Sequence, residues 1–480
     1  MKKLIFVVAA ISLCSINCFA QDDFRKAFDE FTKKARSEYS DFREENNRKY
    51  IEFLKKAWEE YKAEPAIPVP DEEEIPPVIY DEKKDTLVDT PLPVIDITPS
   101  PDIEPQPTPV EPIEESPVFS SFEFEYFGTP LKVRIGDGTK ICLKSVSGED
   151  LAAAWDDLLN PANDNLLYDC LAIREEYKLC DWAYLLMLLE LSGELQESDN
   201  EAVLMAAYLY SQSGYMMRLA ASGDELFMLF ASDYKIFGVP YFKIDDTNFY
   251  PLKEISPELK VADYSFPNEK KMSFMMKDEP VFAMSAEDRR EFSSKEYPVT
   301  ASCSINRNLL DFFDCYPMSM LNDNPMTIWA MYAETPLDKT VKEALYPSLK
   351  NAIKDYEVPV AADVLLDFVQ SLAYGYDDKI WGRDRAFFAE ETLYYPYCDC
   401  EDRAILYSHL VRDLLGLDVI LVYYPGHLAT AVKFNEPVKG DYISIDNERY
   451  LVCDPTFIGA PIGMTMPGMD NKGAQVILLK

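Results

Sequence analysis

Residues 22–64 place apolar or aromatic side chains at Phe24, Phe28, Phe31, Ala35, Tyr39, Phe42, Tyr50, Phe53, Ala57 and Tyr61. The steps run 4, 3, 4 and repeat, with polar Asn46 filling one slot. An 11-residue repeat, about 3.67 residues per turn, predicts one long helix with a straight or slightly right-handed stripe. Charged residues cover its other faces. Such a stripe needs a surface to pack on. That surface is either the chain's own globular part or a second copy of the helix.

From Val118 the pattern changes. Phe122–Phe127 and Leu131–Ile135 alternate at period two and predict strands. Helical runs follow at Gly148–Leu159, Leu166–Tyr177, Asp181–Leu191 and Glu201–Ser213, then strand-like stretches at Tyr215–Ala220, Glu225–Phe230 and Tyr241–Ile244. Further on, Met272–Met276 and Val299–Ile305 read as extended, Asn308–Phe313 and Val341–Ala352 as helical. Ala361–Leu372 is an amphipathic helix with Val364, Leu365, Phe368, Val369 and Leu372 on one face.

The order of helix then strands occurs twice. Placing Gly214-Tyr215 on Gly416-Leu417 sets Ser198–Ala202 on Cys400–Ala404 without a gap and Glu225 opposite His427. Tyr241–Asp245 resembles Tyr442–Asp446 after a one-residue shift. Residues 150–255 therefore read either as a degenerate copy of the C-terminal region or as a chance likeness between two α/β segments.

Composition divides the rest. The chain has 480 residues, enough for two or three domains, and 48% hydrophobic content. Its 47 basic and 84 acidic side chains give a formal charge of −37, which repels nucleic acid and anionic lipid and argues against both as partners. Residues 65–117 hold 14 of the 33 prolines and the acidic run Asp71–Glu74, which reads as an extended linker. At the start, Lys2 and Lys3, apolar Leu4–Leu13 and Cys18-Phe19-Ala20 form the three parts of a secretory signal, residues 1–20. Lipidation at Cys14 or Cys18 is the alternative. No later stretch is apolar enough to span a bilayer. The expected address is the periplasm or cell envelope. The resulting divisions are a signal (1–20), a long helix (21–64), a linker (65–117), an α/β domain (118–255), a mixed connecting region (256–355) and a C-terminal domain (356–480).

The chemistry concentrates in that last domain. Cys400 opens a helical run, His427 opens a strand-like run after Gly426, and Asp454 closes another in Cys453-Asp454-Pro455-Thr456. A helix N-terminus favours a thiolate. A histidine in reach takes the proton, and a carboxylate orients the imidazole. Cys400, His427 and Asp454 are thus read as nucleophile, base and orienter. Cys398 is a second candidate thiol, able to bond Cys400 or Cys453, and Asp446 a second candidate acid. His409 lies nine residues along the helix from Cys400 and reads as a packed or surface residue. Trp329 or Trp381 could line an acyl pocket or belong to the core. Ten cysteines with no Cys-x2-Cys pair, and only two histidines, argue against zinc. No cofactor is expected.

These motifs together, Glu391-Thr392-Leu393, Cys400-x-Asp402-x-Ala404, Gly426-His427 and Asp454-Pro455-Thr456, resemble the transglutaminase-like superfamily. The resemblance covers residues 360–460 and little else. It implies a papain-like α+β fold with a cysteine-bearing helix packed on antiparallel strands. It gives Cys400, His427 and Asp454 the roles already assigned, and Asp402 and Ala404 structural ones. The chain departs from the pattern at Tyr397 and Cys398, where family motifs often carry glycine. The family includes protein cross-linking enzymes, peptide N-glycanases and bacterial hydrolases and proteases. The expectation is an exported enzyme acting on amide bonds of a protein or peptide through a thioester, with hydrolysis preferred to cross-linking. The other reading is a non-catalytic envelope scaffold on the same fold.

Overall fold

Alternate residues along the C-terminal strands face two different cores. Ile420, Val422, Ala429, Ala431, Ile443, Val452, Ala474 and Val476 pack into one cluster. Val419, Leu421, Tyr423, Leu428, Val432, Leu451 and Ile477 pack into another, shared with the helices. A period of two imposes this on any sheet buried on both faces. The computed structural model describes residues 34, 41–70, 75–103, 105–107, 109, 119–285, 289–382, 384–469 and 474–480, and their architecture is mixed α+β.

The C-terminal sheet runs in the order Pro91–Leu92, Tyr442–Ile445, Glu448–Cys453, His427–Lys433, Val419–Tyr424, Ala474–Leu478, Val94–Thr98. Its two edge strands are separated in sequence by Pro93 alone. The edges of an open sheet of this size would lie roughly 30 Å apart at about 4.8 Å per strand. One bent segment reaches both only if the sheet curls into a barrel. Residues 91–98 therefore close it.

The N-terminal sheet behaves alike. Its order is Glu59–Lys62, Glu258–Ala262, Met217–Ser222, Glu225–Ser232, Thr247–Pro251, Phe242–Ile244. Glu64, just past the first strand, bridges Tyr241 at the start of the last, with Glu64 N–H donating to the Tyr241 carbonyl at 2.7 Å. Residues 59–64 thus close a second barrel, filled by Ala220, Phe227, Leu229, Ala231, Phe242, Phe249, Leu259 and Val261. Leaving the closing strands aside, the two barrels share one strand order. They also share one hairpin register: Met217 pairs with Phe230 and Ser222 with Glu225, as Val419 pairs with Val432 and Tyr424 with His427, 202 positions later throughout. Each hairpin follows a helix, Asp199–Gln212 or Cys400–Leu415. The barrels differ in closure. The segment 59–64 runs antiparallel to both neighbours, while 91–98 runs parallel to both.

Several sequence expectations change here. The long helix ends at Leu54, and Glu59–Lys62, expected to be helical, is a strand. Pairing with Glu258–Ala262 overrides the helical propensity of this stretch. The helix end docks on Gly148, where a Cβ would lie 2.2 Å from the Leu54 carbonyl oxygen, so the approach requires glycine. Of the aromatic stripe, Tyr50 is buried against Trp155, Tyr264 and Phe266 of the same chain. The stripe from Phe24 to Tyr39, the signal 1–20 and the acidic run 71–74 lie outside the described residues.

The proline-rich stretch is not a detached spacer where it is described. Besides closing the barrel, it pairs Val78–Ile79 with Phe457–Ile458. Proline fits because these pairings are short and need few backbone donors. The helix expected from Leu166 begins at Pro161. Its Asn160 side chain accepts from the Asn163 N–H, a cap followed by proline at the first helical position. Strands Ser120–Tyr126, Thr129–Ile135 and Thr300–Cys303 and helices Arg307–Asp314, Lys339–Ile353 and Val358–Gln370 fall close to their expected places. Among the described residues, no helix is long and apolar enough to cross a membrane.

Candidate functional site

Cys400 is the first residue of the helix Cys400–Leu415. The start is fixed by a reciprocal cap. Asp399 accepts from the Asp402 N–H, while Asp402 Oδ2 accepts from the Asp399 N–H at 3.2 Å. Asp402 Oδ1 also accepts from the Phe387 N–H at 2.9 Å, which ties the helix start to the preceding loop. Ala404 is fully buried. The helix packs against helix Val358–Gln370 and strand His427–Lys433.

His427 opens its strand because Gly426, at φ 75°, completes the tight turn from Tyr424. The ring stacks on Tyr424 with centroids 6.2 Å apart. Its Nε2 lies 2.9 Å from Asp454 Oδ2, and both side chains are buried. Its Nδ1 is buried without a partner. Asp454 follows the strand Glu448–Cys453, and its other carboxylate oxygen accepts from the Thr456 N–H at 2.9 Å.

Cys400 and His427 line one cleft, about 630 Å³ including its open mouth. Met318, Pro325, Met326, Ile328 and Trp329 form an apolar wall, Asp384 and Glu401 add carboxylates, and Pro70 reaches in from the proline-rich stretch. The Ile75 N–H donates to the Gly426 carbonyl at 2.9 Å, beside His427.

The thiol departs from the sequence expectation. A helix N-terminus was expected to lower its pKa. Instead burial, then the charges of Glu401 and Asp399, push it well above the usual thiol value. Cys400 Sγ donates to Glu401 Oε2 at 3.0 Å. The Leu428 N–H, one residue past His427, is the contact that acts the other way. Burial and the charges of Asp402, Glu401 and Asp377 likewise hold Asp399 well above the usual carboxylate range.

The alternatives separate by position. Cys398 is buried, its Sγ faces the Ala373 carbonyl at 3.6 Å, and burial pushes its thiol to about 11. Cys398, Cys400 and Cys453 are all unbridged thiols. Asp446 is exposed in a hairpin turn at φ 50°. His409 is buried, and desolvation pushes its pKa down to about 3. Trp329 lines the cleft, whereas Trp381 packs on Phe387 and Tyr395. Among the described residues, no group of three or more His, Cys, Asp or Glu is arranged to hold a metal ion.

Two supporting residues had not been singled out. Gln370 donates to the carbonyls of Asp454, Phe457 and Ala460 at 3.2, 2.8 and 3.1 Å, and accepts from the Gly459 N–H at 2.9 Å. Arg403, fully buried one turn past Cys400, donates to Pro455 O at 3.2 Å and Leu372 O at 2.7 Å. Together they clamp the loop that carries Asp454. The available signal was a polar residue ending an otherwise apolar helix face, and an arginine in the first turn of a buried helix.

No family model, curated protein or solved structure matches the chain.

Proposed function

We propose that the chain is an exported cysteine-nucleophile enzyme on a transglutaminase-like fold, acting on amide bonds of a peptide or protein. The observation that carries this reading is the His427–Asp454 pair, which leaves the buried Nδ1 of His427 without a partner in the cleft that also holds Cys400. With Nε2 held as a donor to Asp454, Nδ1 is the basic nitrogen.

The steps follow from that tautomer. The Cys400 S–H proton passes to His427 Nδ1, and the sulfur adds to the substrate carbonyl. The first-turn N–H groups of the helix, which have no intrahelical acceptor, favour the developing oxyanion. The imidazolium returns the proton to the amine as the C–N bond breaks, leaving a thioester. Water, deprotonated by Nδ1, then releases the acid and restores the thiol. Hydrolysis is preferred to transfer, as in most bacterial relatives of this family. The N-terminal barrel reads as a degenerate copy. On the 202-position offset Ser198 and Glu225 match Cys400 and His427, although Ser198 caps its helix as Asp399 caps the other, and Leu252 follows its strand as Asp454 follows its own.

The second reading is a binding scaffold. It is favoured by the raised thiol pKa and by Pro70 in the cleft. A mixed peptide library incubated with the full chain, with products read by mass spectrometry, separates the two. New termini that vanish in Cys400→Ser, His427→Ala and Asp454→Asn support the enzyme. Peptides retained uncleaved, equally by wild type and Cys400→Ser, support the scaffold.

A further inference from the structure

The Cys400 thiol and the histidine assigned to activate it are not joined by a hydrogen bond. The thiol donates to Glu401 Oε2 at 3.0 Å, and His427 Nδ1 stands buried and without a partner. Glu401 is itself 6% exposed, so its carboxylate faces the sulfur with little water between. Asp384 adds a second carboxylate to the cleft wall, and among the described residues no lysine or arginine lines this cleft. The remaining wall, including Met326, Ile328 and Trp329, suits an apolar stem.

We propose that Glu401 determines specificity: it holds the resting thiol away from His427 and releases it to substrates that carry an ammonium or guanidinium group beside the scissile acyl carbon. This rests on the reading of Cys400 as nucleophile. An incoming cation pairs with the Glu401 carboxylate and removes the acceptor of the thiol. The S–H bond then breaks toward His427 Nδ1, an N–H bond forms, and the products are a thiolate and an imidazolium. No oxidant or further reactant is needed. A neutral substrate leaves the thiol on Glu401, and an anionic one meets the Glu401 carboxylate. Burial and the charges of Glu401 and Asp399 hold the resting thiol protonated, consistent with this arrangement.

The test uses three small alkylating probes on the full chain at pH 7: cationic 2-bromoethylamine, neutral iodoacetamide and anionic iodoacetate. Labelling of the Cys400 peptide is followed by mass spectrometry. Each rate is divided by that of a neutral free-thiol reference, which removes intrinsic probe reactivity. The expected order is cationic, neutral, anionic, with about tenfold between the first two, equivalent to about one pKa unit. Glu401→Gln is expected to raise the iodoacetamide rate about tenfold and to erase the preference. Labelling of the wild type without charge preference, or a Glu401→Gln variant still slow with iodoacetamide, overturns the proposal. If Glu401→Gln does not fold, the shorter Glu401→Asp serves: a reduced cationic preference supports the proposal and an unchanged one overturns it. His427→Ala separates the two readings. A charge preference that persists with no loss of labelling rate would remove His427 as base and leave the control by Glu401 standing.

Discussion

His427 Nε2 and Asp454 Oδ2 lie 2.9 Å apart in a buried contact. Asp454→Asn keeps the shape and removes the charge that fixes the tautomer. A turnover lowered by about 10²–10⁴-fold is expected, the range over which positioned acid–base groups act. The chain has only two histidines, so imidazole nitrogen NMR checks the cause directly. The His427 signal should change tautomer in Asp454→Asn while that of His409 stays. An unchanged His427 signal would remove Asp454 as orienter.

Gln370→Ala withdraws every side-chain hydrogen bond that holds the 454–460 loop to helix Val358–Gln370. The Asp454 and Phe457 carbonyls keep the Phe457 and Ala460 N–H groups as donors, so the Ala460 carbonyl and the Gly459 N–H lose their partner, and at about 1 kcal/mol for each about 2 kcal/mol of stability should be lost. Urea unfolding measures this, and a loss below about 0.5 kcal/mol, the low end for one hydrogen bond, would argue against the clamp.

Glu390 and Glu279 form a buried carboxyl pair, with Asp338 and Lys342 nearby. Burial pushes Glu390 up to about 7, and burial with the Glu390 charge raises Glu279 further. The folded state therefore binds protons more tightly than the unfolded chain. The stability due to this pair is complete below the unfolded carboxylate range and is lost as pH rises through about 7. The melting temperature should fall between pH 5 and pH 8, and Glu390→Gln should flatten that fall. A variant with the same slope as wild type would rule out this pair as its source.

Ile75→Pro removes the N–H that binds the Gly426 carbonyl beside the cleft. Loss of that tether should expose Cys400, with iodoacetamide labelling several-fold faster than in wild type. Equal rates would mean that the contact does not restrict entry.

The sequence made the site legible because three short motifs, at Cys400, His427 and Asp454, each needed a particular backbone setting: a helix start, a strand start and a strand end. It also exposed the doubled hairpin, since Gly214 and Gly416 stand at matching helix ends. It misread the state of the thiol. The field of a helix terminus can be inferred from one dimension, but the depth at which Cys400 is buried and the direction of the Glu401 side chain cannot. Residues 59–64 and 91–98 were misread for a related reason. Their local signals are helical and proline-rich, and their strand state is imposed by partners about 180 to 380 positions away.

Both closing strands come from the first hundred residues, and everything they close is made later. During synthesis, the N-terminal segment must wait for strands not yet translated. A chain deprived of it would keep its helices and hairpins but carry bare rows of amide and carbonyl groups at the margins of each sheet. Such margins recruit strands from other molecules. The segment that resembles a tether therefore covers those margins, and a truncation meant to isolate the site would leave both sheets open to pairing with other molecules rather than give a smaller folded unit.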